Sequence, residues 1–266
     1  MPIECDTQIL QVGQERFHDV DKVLIGHAFN IHNTLGRFCD ERIYQNELAL
    51  RCNESGISAQ REVEIRVIHQ NFTKSYYVDL LLDHGLIYEL KTVDSLNTNH
   101  QKQLIHYLLL FNLNHGKLIN FRPGSVESRF VSTQLKRNHR IDFQMDDKFW
   151  NEEDSESECL RKNLTGLLED WGTFLDLSLY IEALLHFLSK PNTGLQPIDI
   201  LVHGRVVGSQ KLCLLNSTSA WHLSAARIHL PSYETHIKRL LNHTRLDKIH
   251  WINFNQQQIT LKTLKK

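Results

Sequence analysis

The stretch YYVDLLLDHGLIYELK, Tyr76 to Lys91, holds two apolar runs, 76–82 and 86–91, on either side of Asp83-His84-Gly85. Runs of this length and composition around a short connection ending in glycine read as two strands of a hairpin with a three-residue loop. A hairpin centred on His84 sets Asp79 directly across from Glu89. Two carboxylates so opposed would have Cβ atoms roughly 5 Å apart, and like charges at that spacing destabilise a sheet. A divalent cation removes the penalty, because Mg²⁺ and Mn²⁺ favour hard oxygen ligands. Lys91 lies two residues past Glu89 and so projects from the same face. Asp79 interrupts an apolar run, where an uncompensated carboxylate is costly. A metal, two carboxylates and an ammonium gathered there could polarise a phosphodiester and deliver hydroxide in line with the leaving oxygen. The alternative is a pair of edge-strand charges with Lys91 as a solvated surface residue.

Outward from this hairpin, residues 20–52 read as helical with a break near Asn33–Gly36, and 61–70 as a further strand. In 100–112, Leu104, Tyr107, Leu108 and Phe111 fall at helical spacing and form one apolar face. KLINF (117–121) reads as a strand, and RFVST (129–133) is a candidate for another. Strands between amphipathic helices imply a sheet flanked by helices. Glu41 shares a helix face with Tyr44 and Leu48, the face a helix would bury, so it reads as a partly buried carboxylate in need of a partner. A metal site is one such partner and a helix-surface ion pair another. Gln103 and Tyr107 share a face, a spacing that by itself more often reflects packing.

Composition frames what these residues can mean. With 41% hydrophobic and 23% charged residues, the chain has the make-up of a globular protein long enough for one large domain or two ordinary ones. No apolar run reaches membrane-spanning length, and the first residues lack a basic segment followed by an apolar one, so neither a transmembrane helix nor a signal peptide is expected. Cys5, Cys39, Cys52, Cys159 and Cys213 are scattered and form no CxxC pair, which fits a reducing cytoplasm. A net charge of −1 advertises no nucleic-acid partner. The charge is uneven, however: 122–140 is basic, and 146–158 (DDKFWNEEDSESE) is acidic and reads as a linker. The histidines form no HExxH or His/Cys zinc pattern, and there is no P-loop, dinucleotide fingerprint or nucleophile elbow.

The chain also resembles itself. GRFCDERIYQNELALRC (36–52) aligns without gaps to GTFLDLSLYIEALLHFL (172–188), and HQKQLIHYLLLFNLNHGKLINF (100–121) to YETHIKRLLNHTRLDKIHWINF (233–254). The matches keep their order and nearly the same offset. This predicts two copies of one unit, in 1–145 and 159–266, joined by the 146–158 linker. Carrying the second offset backwards pairs Asp79 with Leu212, Glu89 with His222, Lys91 with Ser224, Gln103 with His236 and Tyr107 with Leu240. The first offset pairs Glu41 with Leu177. Every candidate chemical position is replaced in the second copy.

Residues 22–125 resemble the GxxExxY proteins of the PD-(D/E)XK nuclease superfamily. The resemblance rests on IGHAFNIHNTLG (25–36), Glu41-x-x-Tyr44, Asp79, Glu89-Leu90-Lys91, Gln103-x-x-x-Tyr107 and LINF (118–121). One departure is Phe38, which stands where the motif has its first glycine; Phe174 takes that place in the second copy. The resemblance implies two tandem restriction-endonuclease-like α/β units, each a mixed central sheet flanked by helices, the second degenerate. It implies Asp79, Glu89 and the Leu90 carbonyl as ligands of Mg²⁺ or Mn²⁺, and Lys91 as the residue that positions or activates water and stabilises developing charge. Glu41 would be a supporting acid, and Gln103 and Tyr107 would orient the site or contact DNA. The expected partner is nucleic acid, foremost DNA, with the two copies packing as a pseudo-dimer. The competing expectation is a non-catalytic nucleic-acid- or protein-binding module on a nuclease-derived fold.

Overall fold

The computed structural model describes residues 3–191 and 193–266. The chain divides into two compact units, Met1–Arg137 and Asn138–Lys266. Among the described residues each unit holds a six-stranded mixed sheet flanked by helices.

In the first unit, β1 (Ile3–Glu4) precedes α1 (Gln14–Leu35) and α2 (Glu41–Glu54). Then follow β2 (Ala59–His69), β3 (Phe72–Leu82), β4 (Leu86–Lys91), α3 (Thr98–Phe111), β5 (His115–Asn120) and β6 (Glu127–Ser132). The sheet order is β1-β2-β3-β4-β5-β6. Only β4 and β5 run parallel, which requires the α3 crossover between them. Helix α3 starts at a capping box in which Asn97 accepts from the His100 N–H and His100 accepts from the Asn97 N–H.

Helices α1 and α2 bury Phe17, Leu24, Tyr44 and Leu48 against Leu80, Leu82, Tyr88 and Leu90 of the central strands. Gly36 ends α1 at φ +73°, a conformation that favours glycine. The Tyr44 hydroxyl donates to the Gly36 carbonyl (2.8 Å) and accepts from the Cys39 N–H (3.1 Å), so the turn between the helices is clamped from the next helix. Tyr44 also stacks on Phe121 at 4.4 Å.

The second unit follows α4 (Arg137–Ile141) with β7 (Gln144–Phe149), α5 (Ser155–Trp171), α6 (Leu177–Phe187), β8 (Gly194–Val202), β9 (Arg205–Leu214) and β10 (Ser219–Ser224). It ends with α7 (Leu230–Asn242), β11 (Lys248–Asn255) and β12 (Gln258–Lys265). From α5 onward it repeats the order of the first unit from α1, and β10 and β11 are again parallel around a crossover helix. The units differ at one edge. The first places β1 beside β2, whereas the second places β7 beside β12. Local details recur as well: Gly172 ends α5 at φ +73°, and the Tyr180 hydroxyl donates to its carbonyl (2.5 Å).

One expectation needs correction. The acidic stretch 146–158 is not a linker, because it forms most of β7 and the start of α5. The Asp154 side chain caps α5 by accepting from the Ser157 N–H (2.8 Å), and Glu156 and Glu158 lie in its first turn. Acids favour a helix N-terminus, where unpaired N–H groups concentrate positive potential. The basic segment 122–140 also contributes to the core of the second unit. Arg140 is buried and donates to the carbonyls of Trp171 and Thr173.

Candidate active site

The β3–β4 hairpin pairs Leu80 with Tyr88, Leu81 with Ile87 and Leu82 with Leu86, which centres it on His84. One further step in that register sets Asp79 against Glu89, and the Glu89 carboxylate accepts from the Asp79 N–H (3.3 Å). The loop glycine plays a different part from the one its position suggests. Asp83 and His84 take the positive φ angles, 44° and 59°. Gly85 is required by close approach instead, since a Cβ there would lie 2.3 Å from the Leu10 carbonyl oxygen.

Strand β4 is covered on both faces, so Glu89 is 1% exposed. The Lys91 ammonium lies 3.2 Å from Glu89 Oε2 and 3.6 Å from Asp79 Oδ2. Asp79 also accepts from the Leu90 N–H (2.7 Å). Burial, reinforced by the neighbouring Asp79, pushes the Glu89 carboxyl up to about 8, with Lys91 opposing. Burial likewise raises Asp79, again against Lys91. For Lys91, burial works against the charged form, but Glu89, Asp79 and Glu41 outweigh it and hold the amine above its usual range. Lys91 is therefore an ammonium locked among carboxylates.

Glu41 opens α2 and is partly buried. Burial raises its carboxyl; Lys91 pulls it down, Asp79 and Glu62 add to the rise, and the Thr92 N–H donates to it. The structure thus brings Glu41 to the hairpin. Tyr107 is buried, and Glu89, Asp79 and Lys91 all act on its hydroxyl. The Gln103 amide donates to that hydroxyl (3.2 Å), so the exposed Gln103 reaches the cluster through Tyr107. Among the described residues no three or more His, Cys, Asp or Glu side chains gather as a metal-holding group. The core of the site is two carboxylates and one ammonium.

Two neighbours escaped the sequence reading. The buried Gln45 amide donates to the Asp79 carbonyl (2.7 Å) and to the Glu62 carboxylate (2.7 Å). Glu62 lies in β2 at φ +49°, between the pairs Arg61–Leu80 and Val63–Val78, and so beside Asp79. Both carried a signal. Gln45 is four residues after Glu41 on the same helix, and counting back from the β2–β3 turn sets Glu62 opposite Asp79.

In the second unit, the positions that offset pairs with Asp79, Glu89, Gln103 and Tyr107 are Leu212, His222, His236 and Leu240. All four line one cavity of about 220 Å³. His222 is hydrogen-bonded to the Tyr233 hydroxyl (2.7 Å), and burial lowers its pKa. Ser224 and the Ala226 N–H donate to Asn253 Oδ1. The matching Asn120 of the first unit accepts from the Val93 N–H (3.1 Å) and donates to the Val93 carbonyl (2.7 Å). The asparagine that pins the segment after β4 or β10 is common to both units, while the charged triad is confined to the first.

Residues 18–133 match the family model of the PD-(D/E)XK nuclease superfamily. The matched span contains the whole Asp79, Glu89 and Lys91 site and none of the second unit. It points to nuclease-type chemistry, and nucleases of this superfamily generally depend on a divalent metal. A solved structure described as "Crystal structure of SSO0001" is 21% identical, with 47% of this chain and 63% of that chain covered, at a TM-score of 0.29. The chain therefore spans less than two thirds of that protein, and so low a TM-score carries no argument. No curated protein matches the sequence.

Proposed function

We propose that the first unit is a divalent-metal-dependent nuclease that hydrolyses phosphodiester bonds in nucleic acid, foremost DNA, with Mg²⁺ or Mn²⁺ as its metal. The observation that carries this reading is the meeting of Asp79 and Glu89 across one hairpin with the Lys91 ammonium between them. The donor set fits such a metal: carboxylate oxygens on rigid strands, one of them almost fully buried, whose mutual repulsion a cation relieves. Asp79, Glu89 and the Leu90 carbonyl would hold it. When bound, the metal supplies Lewis acidity and lowers the pKa of water.

The remaining chemistry belongs to the chain. Lys91, already an ammonium, donates hydrogen bonds to the attacked phosphate and offsets the charge that develops on its oxygens. Glu41, fixed by the Thr92 N–H, orients water at the rim, and Gln103 holds the Tyr107 hydroxyl beside the carboxylates. The second unit serves as a structural or substrate-binding pseudo-domain, a reading supported by the replacement of the charged positions with Leu177, Leu212, His222 and Ser224.

Purified protein with Mg²⁺ or Mn²⁺, assayed on single- and double-stranded DNA and RNA, should cleave at least one substrate. Lys91→Ala should reduce the rate by at least about a hundredfold, the scale seen when a charge-stabilising donor is removed. Absence of cleavage on every substrate, or undiminished cleavage by the variant, overturns the reading. One observation favours the rival non-catalytic module: Lys91 already compensates both carboxylates within the protein. Calorimetric titration with Mn²⁺ separates the two, because a self-compensated vestige has no need of metal.

A further inference from the structure

Phe38 is 75% exposed, the highest value among the large apolar side chains recorded as exposed in the described residues. An isolated exposed aromatic side chain is unremarkable, but three features set this one apart. Its loop is built rather than loose: Gly36 and Cys39 on either side are both tied to the buried Tyr44 hydroxyl. Two guanidinium groups lie close to the ring, Arg37 at 4.9 Å and Arg122 at 5.8 Å from its centroid. Arg122 in turn donates to the Thr92 carbonyl (3.2 Å), one residue past Lys91, and Glu41 begins its helix three residues after Phe38. An exposed aromatic ring with two guanidinium groups close to it therefore sits at the rim of the candidate active site.

The second unit lacks the combination. Phe174 keeps the ring but is only partly exposed. Thr173 stands in place of Arg37 and is fully buried, and Asn255 stands in place of Arg122. The guanidinium pair thus occurs only where the carboxylates and Lys91 occur.

We propose that Phe38, Arg37 and Arg122 form a subsite for an unpaired nucleotide: the base stacks on Phe38, and the two arginines engage the adjoining phosphates. The inference rests on the nuclease reading of the neighbouring site and names its substrate class, single-stranded or frayed nucleic acid. A stacked base inside a duplex hides both faces, so only an unpaired one can use the ring. Arginine beside an aromatic ring supplies both cation–π contact and phosphate pairing.

The test is fluorescence anisotropy with the full chain in EDTA, so that cleavage does not enter. The probes are labelled single-stranded thymidine and uridine oligonucleotides and a blunt DNA duplex. The wild type should bind a single strand, of either sugar, more tightly than the duplex. Phe38→Ala should weaken that binding by about fivefold to a hundredfold, the range expected for one lost stacking contact. Phe38→Trp should retain it, and the added tryptophan emission should change on binding. Melting temperatures of both variants should match the wild type, since the ring is exposed. Equal single-strand affinity in wild type and Phe38→Ala, or no preference over duplex, overturns the subsite. Should cleavage persist in that case, the nuclease reading stands without it. Should cleavage be absent while Phe38→Ala still loses binding, the subsite stands and the nuclease reading falls.

Discussion

Gln45 and Glu62 illustrate how single residues complete the site. The Gln45 amide bridges the Asp79 carbonyl and the Glu62 carboxylate, so the strand bearing the key acid is fixed from helix α2. Neither residue announces itself by type, because glutamine and glutamate are common on surfaces and only register places them here. His250 carries a prediction at this scale. It is fully buried, and burial, aided by Lys248, pushes its pKa down to about 4. The folded state therefore stays neutral where the unfolded state, with an ordinary pKa near 6.5, takes up a proton. Stability is complete above about pH 6.5 and falls as pH drops towards 4, by on the order of 3 kcal/mol. Trp150, Trp171, Trp221 and Trp251 all lie in the second unit, so urea unfolding followed by tryptophan fluorescence reads that unit alone. His250→Gln should flatten the loss between pH 7 and pH 5; an unchanged slope removes the attribution.

At the scale of elements, the β3–β4 hairpin is the most legible piece, because turn centre and strand periodicity together fix register. The neighbouring hairpin was less legible: strands read at 61–70 and 76–82 centre it near residue 73, whereas the turn falls at Gln70 and Asn71, and only that register sets Glu62 against Asp79. The role of Gly85 was not legible, since it depends on the chain at Leu10, 75 residues away in sequence. Gly85→Ala should destabilise the first unit by about 1–3 kcal/mol, as overpacking does. Gly124, with open space around it, should accept alanine at little cost. Chemical unfolding followed by far-UV circular dichroism compares the two, and equal stabilities would show that the N-terminal segment yields freely. The acidic stretch misled for a physical reason. Helix caps and disordered linkers draw on the same residues, and what separates them is pairing: here Lys248 and Lys265 meet Asp154 and Glu153, and Lys190 meets Glu156.

Across the whole molecule, two units with the same run of helices and strands divide the chain, and the charged triad belongs to one of them. The repeat was readable because Gly36 and Gly172, Tyr44 and Tyr180, and Asn120 and Asn253 perform matching backbone tasks that constrain residue type. The differing outer strands were not readable: the two residues of β1 carry no periodic signal, and the acids of β7 read as a linker. What the first unit does turns on whether its opposed carboxylates bind metal. Crystals of the full chain soaked in Mn²⁺ and measured for anomalous scattering test this most directly. The expected result is one strong peak between the Asp79 and Glu89 carboxylates, lost in Asp79→Asn. An empty site at saturating Mn²⁺, with Lys91 still bridging both acids, would contradict the account.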